Sequence, residues 1–245
     1  MPLTHFIEGD AGCRYASDNG TVAIVVDALR ASATAAMLLH YGATELLVTA
    51  EVEDARAAKA AWPDALLFGE RGGLPPEGFD WGNSPEEAKH AAGRRAIFTT
   101  TTGAGRLVAC WGAHAAYMGT TVNTQAVASL AASHGLDITV IPAGLMTDPG
   151  FDAQEDRAAA AYLASCIGWP VGEGANTCAH WQERIEREGL ARLFDTAPHA
   201  ENLRQLNQGS DIPLCAATDT TTAVPVALER HPLGVLVGRG SVACD

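Results

Sequence analysis

The chain has 245 residues, 47% hydrophobic and 18% charged, with a formal net charge of −13. That length and apolar content suit one large domain or two small ones. The acidic excess argues against nucleic acid or an anionic membrane as partner. It admits an anionic small molecule only where arginines, a divalent cation or backbone N–H groups collect locally.

No run approaches the roughly 20 apolar residues of a membrane span. The start, MPLTHFIEGDAGCRY, lacks a basic segment followed by an apolar one. The expectation is a soluble cytoplasmic protein. The six cysteines (Cys13, Cys110, Cys166, Cys178, Cys215 and Cys244) form no CxxC pair and no zinc-finger spacing, so they are expected reduced and mostly buried. The eight histidines show no HExxH pattern and are expected to be structural or exposed.

In chain order, TVAIVVDA (21–28) predicts a strand ending on an acid, and the Ala/Leu/Met-rich segment up to Gly42 a helix. ATELLVTA (43–50) is a strand, EVEDARAAKAAW (51–62) a helix and DALLFGE (64–70) a strand. The stretch GERGGLPPEGFDWGNSP (69–85) has a linker's glycines and prolines, yet spaces Glu70, Arg71, Asn83 and Ser84 through them. We read it as an ordered loop, stiffened by Pro75 and Pro76 and pinned by Phe79 and Trp81. SPEEAKHAAG (84–93) predicts a helix with Ser84 as N-cap and Pro85 at its first position. RAIFTT is a strand, TTGAGRLVACWG a loop and helix, and AHAAYMGT a strand. TVNTQAVASLAASHG is a helix capped near Asn123 or Thr124, DITVIPAG a strand and DAQEDRAAAAYLASCIG a helix. HWQERIEREGLARLFD reads as an exposed amphipathic helix. SDIPLCAATDTTTAVPVALE reads as a short strand with a polar turn.

This alternation predicts an α/β fold, a three-layer α/β/α arrangement whose sheet is mostly parallel or mixed with helices on both faces. Residues 1–245 would form a single domain, either undivided or built of two α/β subdomains, about 1–125 and 126–245. Two stretches, AIVVDALRAS…HYGATELLV and AIFTTTTGAGR…CWGAHAAYM, echo one another. Duplication would produce that echo, and so would the general likeness of α/β units.

Ligands of open α/β sheets sit beyond the carboxyl ends of strands. Those positions hold Asp27, Arg30 and Ser32, then Glu70 and Arg71, then Thr99 to Thr102, Gly103, Gly105 and Arg106. Gly119, Thr120 and Asn123, and finally Gly144, Glu155 and Asp156, complete the set. Arginine forks, hydroxyls and glycine amides bind phosphate, and carboxylates hold Mg²⁺. Each has a structural alternative. Asp27 could cap a helix, Glu155 and Asp156 could be ordinary first-turn acids, and the threonines could end a strand. No GxxxxGK[ST], GxGxxG or GxSxG motif is present.

Taken together, VVDALRASATA, GERGG…GFDWGNSP, TTTTGAGR, IPAG…EDRAAAAYL and DIPLCAATD…VPV resemble the 2-phosphosulfolactate phosphatase (ComB) family. The resemblance covers about Thr21 to Val226 and implies the ComB-like α/β/α fold. It also implies a Mg²⁺-dependent phosphohydrolase that converts 2-phosphosulfolactate to 3-sulfolactate on the path to coenzyme M, or acts on related 2-hydroxy-acid phosphates. The matching positions are Asp27, Arg30, Ser32, Gly69, Glu70, Arg71, Asn83, Ser84, Thr99 to Thr101, Gly103, Gly144, Glu155 and Asp156. One departure is Thr102-Gly103-Ala104, where the family usually has Asn-Gly-Thr. It bears on substrate identity more than on phosphate binding.

The expected mechanism is metal-assisted hydrolysis of a phosphate monoester. Asp27, Glu70 and Asp156 would hold Mg²⁺ directly or through water, and Arg30 and Arg71 would bind phosphate and the substrate's carboxylate or sulfonate. Ser32, Asn83, Ser84, Thr100, Thr101, Thr102, Gly103, Asn123 and Gly144 would contact substrate. Glu155 would serve as general base or acid. Asp27 could alternatively be an aspartyl-phosphate nucleophile. A non-catalytic binder of phosphorylated or sulfonated metabolites is the other reading, and an interaction subunit a weaker third. A homodimer is expected on general grounds.

Overall fold

The computed structural model describes residues 1–240. Its strands are β1 (Thr4–Phe6), β2 (Val22–Val26), β3 (Glu45–Val48), β4 (Leu66–Gly69), β5 (Arg95–Thr99), β6 (Ala115–Met118), β7 (Ile138–Pro142), β8 (Val224–His231) and β9 (Gly234–Gly240). Its helices are α1 (Gly9–Asn19), α2 (Ala31–His40), α3 (Val52–Ala61), α4 (Gly103–Ala109), α5 (Thr124–Ala132), α6 (Gln154–Ile167), α7 (Ala175–Glu188), α8 (Leu190–Asp195), α9 (Pro198–Gln205) and α10 (Asp211–Ala216). No helix among the described residues is long and apolar enough to cross a membrane.

One nine-stranded sheet carries both halves of the chain, in the order β1-β7-β2-β6-β8-β9-β3-β5-β4. It consists of two parallel blocks, β1-β7-β2-β6 and β3-β5-β4, joined by the antiparallel β8–β9 hairpin between them. The sheet is therefore mixed, and helices cover both faces of each block. Continuous apolar runs explain this: in VAIVV every residue of β2 is buried, as a strand covered on both faces requires. Val22, Ile24 and Val26 pack with α5, α6 and α8 residues such as Val127, Leu163 and Phe194. Ala23 and Val25 share a second core with Leu46, Val48, Phe68, Phe98 and Met118. Leu38 of α2 and Leu107 of α4 fill that core between the two blocks. Small residues let α2 sit there, since eight of its ten residues are buried. A third core joins Leu47, Leu67 and Ile97 to Ala55 and Ala58 of α3.

The two stretches that echo one another in sequence take exchanged places. β2–α2–β3 crosses from the first block to the second, and β5–α4–β6 crosses back. Along the hairpin the blocks run antiparallel, yet the carboxyl ends of β2, β4, β5 and β7 meet in one cavity. A twist of about 20–25° per strand over the five steps from β2 to β5 turns the second block by about 100–125°. Such a turn accounts for the convergence.

Several local expectations change. Residues 84–93 form only a 3-10 turn over Glu87–Ala91, where Ser84 Oγ accepts the Glu86 N–H at 3.3 Å and spends its own proton on Asp211. Asn123 is the N-cap of α5 as expected, but its side chain makes no cap bond to that helix; it closes a capping box with Thr120 around the preceding 3-10 turn. The segment taken for a short strand begins as helix α10, and β8 follows it. The helix read over 180–195 breaks at Gly189 (φ 81°) into α7 and α8, with Cys178 and Trp181 buried. Cys13, Cys110, Cys178 and Cys215 are free and buried, Cys166 is free and half-buried, and Cys244 lies outside the described residues.

Candidate active site

The carboxyl ends of β2, β4, β5 and β7, together with α9, enclose a cavity of about 660 Å³. Asp27, Arg30, Glu70, Arg71, Asn83, Thr101, Thr102 and Gly144 line it, all expected from the sequence, and so does His199, which was not.

Asp27 follows β2 where the chain turns into α2. Its Oδ1 accepts the Ala31 N–H at 3.0 Å, while Ser32 Oγ accepts the Asp27 N–H at 3.0 Å and donates to the Val25 carbonyl. Ser32 is thus a fully buried brace for this turn. Oδ2 of Asp27 accepts no hydrogen bond among the described residues. Burial pushes the Asp27 carboxyl up to about 6, aided by the charges of Glu70 and Glu155 and opposed by the Ala31 N–H and His199. Gly103 explains how β5 comes so close: a Cβ there would stand 2.6 Å from both Asp27 Oδ2 and Ala31 Cβ.

Glu70 organises the loop after β4. Its Oε1 accepts the Thr101 N–H at 2.7 Å, and its Oε2 accepts the Gly73 N–H at 2.8 Å and the Thr101 hydroxyl at 3.0 Å. One carboxylate therefore fixes both the glycine-rich loop and the threonine loop. Arg71 donates to the carbonyls of Glu70 and Ala50 and to Thr99 Oγ1. Gly73, at φ 85°, lies under Leu206, whose Cδ1 would be 2.5 Å from a Cβ at this position. Across the remainder of the loop, Phe79, Asp80 and Trp81 bond back to the chain, and Trp81 stacks on His90 at 3.7 Å. The loop is an ordered part of the wall.

Arg30 is buried and paired with Asp211 at 2.5 Å, and it donates a further bond to the Gly73 carbonyl. Ser84 Oγ donates to the other Asp211 oxygen at 2.7 Å. Asp211, on α10, thus ties together two residues expected in the site. Thr100 Oγ1 accepts the Ala104 N–H at the start of α4, and Thr102 Oγ1 accepts the Met146 N–H. Asn123 is outside the cavity lining; fully buried, it holds the Thr120 N–H and the Ala223 carbonyl. Arg106 is occupied by the Ala143 carbonyl and by Asp10.

Glu155 and Asp156 start α6 behind the cavity. Asp156 accepts the Ala28 N–H at 2.7 Å and the Gly144 N–H at 3.0 Å, joining the ends of β2 and β7. Burial, then the charges of Glu155 and Asp27, hold its carboxyl well above the usual range. Glu155 has no exposed surface. Its Oε1 accepts the His199 Nδ1–H at 2.5 Å, and its Oε2 is buried without a partner among the described residues. Burial alone would lower His199, but the Glu155 hydrogen bond and the charges of Glu155, Asp27 and Glu70 raise it above an ordinary histidine. His199 enters from α9, 44 residues from Glu155. TAPHAENL carries no motif, so only the fold could reveal it.

Among the described residues no three His, Cys, Asp or Glu side chains converge as a ready metal cage. What the site has is an all-oxygen donor set with surplus negative charge: Asp27 with an uncommitted oxygen and Glu70 in the lining, and Glu155 and Asp156 behind. Mg²⁺ commonly binds through one or two carboxylates, keeping waters and taking phosphate oxygens. That chemistry fits these donors.

A family model of 2-phosphosulpholactate phosphatase matches residues 13–230. A Deinococcus radiodurans protein named probable 2-phosphosulfolactate phosphatase is 37% identical, over 88% of this chain and 92% of its own. One of the same name from Gloeobacter violaceus is 35% identical, over 88% and 90%. A third, from Thermus thermophilus, is 36% identical, over 85% and 89%.

Proposed function

Since the chain belongs to the 2-phosphosulpholactate phosphatase family, we propose that its cavity hydrolyses 2-phosphosulfolactate, or the phosphate ester of a related 2-hydroxy acid, with Mg²⁺. It is by family a phosphoric monoester hydrolase. The observation that carries the reading is the meeting of Asp27, Glu70, Arg71, Thr101, Thr102 and Asn83 around one cavity in a chain otherwise rich in acid.

Asp27 and Glu70 would hold Mg²⁺, with Asp156 anchoring the backbone behind them. When bound, the ion neutralises charge on the phosphate oxygens and polarises phosphorus. The Arg71 guanidinium, pinned by three acceptors, sets a fixed positive charge at the rim. The Thr102 hydroxyl keeps its proton for a phosphate oxygen, because its oxygen already accepts from Met146. Glu70 holds Thr101 and Gly73 in place, so these groups are ordered before substrate arrives. Arg30, neutralised by Asp211, contributes a rigid wall more than a net charge. A cytoplasmic homodimer is part of the same proposal.

The test is phosphate release from 2-phosphosulfolactate and 2-phospholactate, with and without Mg²⁺, for wild type, Asp27→Asn and Arg71→Ala. We expect metal-dependent turnover that each substitution lowers by about 10²–10³-fold. Wild-type-like turnover in both variants would sink the site assignment. Binding of 2-phosphosulfolactate without phosphate release would select the binder reading.

A further inference from the structure

Glu155 cannot reach a substrate, because none of its surface is exposed. His199, in the first turn of α9, lines the cavity with 23% of its side chain exposed. An ionised carboxylate only accepts hydrogen bonds, so the 2.5 Å contact with Glu155 Oε1 places a hydrogen on His199 Nδ1. His199 Nε2 has no hydrogen-bond partner among the described residues. The Phe151 ring packs on the imidazole at a centroid distance of 4.5 Å. A buried acid and an aromatic ring thus fix an imidazole whose second nitrogen is uncommitted, beside Asp27 and Glu70.

We infer that His199 is a catalytic residue that donates its Nε2 proton to the leaving oxygen of the substrate, and that Glu155 is its positioning residue. The inference rests on the phosphatase reading above. The alcohol of a 2-hydroxy acid is a poor leaving group, and a positioned acid typically contributes 10²–10⁴-fold to such a step. The bond between phosphorus and the ester oxygen breaks, and its electron pair goes to that oxygen, which takes the Nε2 proton. A water oxygen bonds to phosphorus, keeping one hydrogen as the hydroxyl of hydrogen phosphate. The other water proton recharges His199, so ester and water give alcohol and phosphate in balance. If Asp27 carries the phosphoryl group between two half-steps, the same proton is delivered in the first and recovered in the second.

The charged groups facing the imidazole are Glu155 from α6, Asp27 from the end of β2 and Glu70 from the loop after β4. Glu155, bonded directly to the ring, favours its protonated form against the effect of burial, whereas Asp27 and Glu70 would have their charges engaged by Mg²⁺ in the working enzyme.

The experiment compares His199→Gln with wild type on 2-phosphosulfolactate, an alkyl ester, and on 4-nitrophenyl phosphate, whose leaving group needs no proton. We expect kcat to fall by about 10²-fold or more on the alkyl ester and by less than about 5-fold on the aryl ester. Equal losses on both would overturn the inference. Far-UV circular dichroism checks folding. Glu155→Gln provides a second reading: the alkaline limb of kcat on the alkyl ester should move to lower pH, and an unmoved limb also overturns it. A wild type that releases phosphate from neither ester would instead remove the phosphatase reading beneath.

Discussion

Replacing Asp211 by leucine removes one charge of the Arg30–Asp211 pair while keeping the side chain's volume. The two groups lie 2.5 Å apart and are 2% and 3% exposed. At an effective dielectric of about 20, unit charges at that separation attract by about 7 kcal/mol. Desolvation of both ions offsets most of this. The single variant, however, leaves Arg30 buried with, among the described residues, only the Gly73 carbonyl as partner, and Ser84 loses its acceptor. Breaking one side of a buried pair typically costs about 3–5 kcal/mol. In a chain of this size that lowers Tm by roughly 6–20 °C, at about 2–4 °C per kcal/mol. Thermal melts followed by far-UV circular dichroism at neutral pH measure it. The double variant Arg30→Met/Asp211→Leu, with no charge left to strand, should recover most of the loss. A single variant within about 3 °C of wild type, or a double variant no more stable than the single, would refute the reasoning.

Gly103→Ala places a methyl 2.6 Å from Asp27 Oδ2; turnover should fall by about 100-fold or more as the acid is displaced, and unchanged phosphate release would contradict this. Burial raises the Asp27 carboxyl from 3.8 to about 6, so folding disfavours its ionised form. Stability from this acid is fully present below pH 3.8 and lost as pH rises through 6. Asp27→Asn should therefore melt higher than wild type at neutral pH, with the advantage vanishing below about pH 4; a difference independent of pH would argue against the shift. Mg²⁺ at 100 times its Kd should stabilise wild type by about 2.7 kcal/mol and Asp27→Asn far less, as differential scanning fluorimetry can show.

Periodicity sufficed for β2 to β7 and for α2 to α6, though not for residues 84–93, which make only a 3-10 turn, because buried strands are continuous apolar runs and α2 and α6 are alanine-rich between turn residues. It failed at β1, three residues long, and at β9, where glycines dilute the apolar pattern of GVLVGRG. It failed also at α9 and α10, whose short polar turns are helical because Ala200, Leu203, Ile212 and Cys215 dock on the core. The candidate site was legible where the cavity wall comes from strand ends: Asp27, Glu70, Arg71 and Thr101 line the cavity where the sheet rule puts ligand-facing residues. The divisions of labour within it were not. Ser32 and Asn123 are polar in sequence but spend their groups on the backbone, and Arg30 is matched by an aspartate 181 residues away. His199 acquires its setting only when α9 folds over the cavity.

The hairpin at the middle of the sheet has a consequence for synthesis. β8 and β9 are the last of the nine strands to leave the ribosome, yet among the described residues the strand pairing that joins the two parallel blocks runs through them. Until then β6 and β3 present open edges, one on each half-built block, and such edges invite pairing with other chains. Because β2–α2–β3 and β5–α4–β6 cross between the blocks, neither block can mature by itself while the other is still being made. Two incomplete sheets therefore stay open until the hairpin arrives to close them, much as a keystone is set after both sides of an arch.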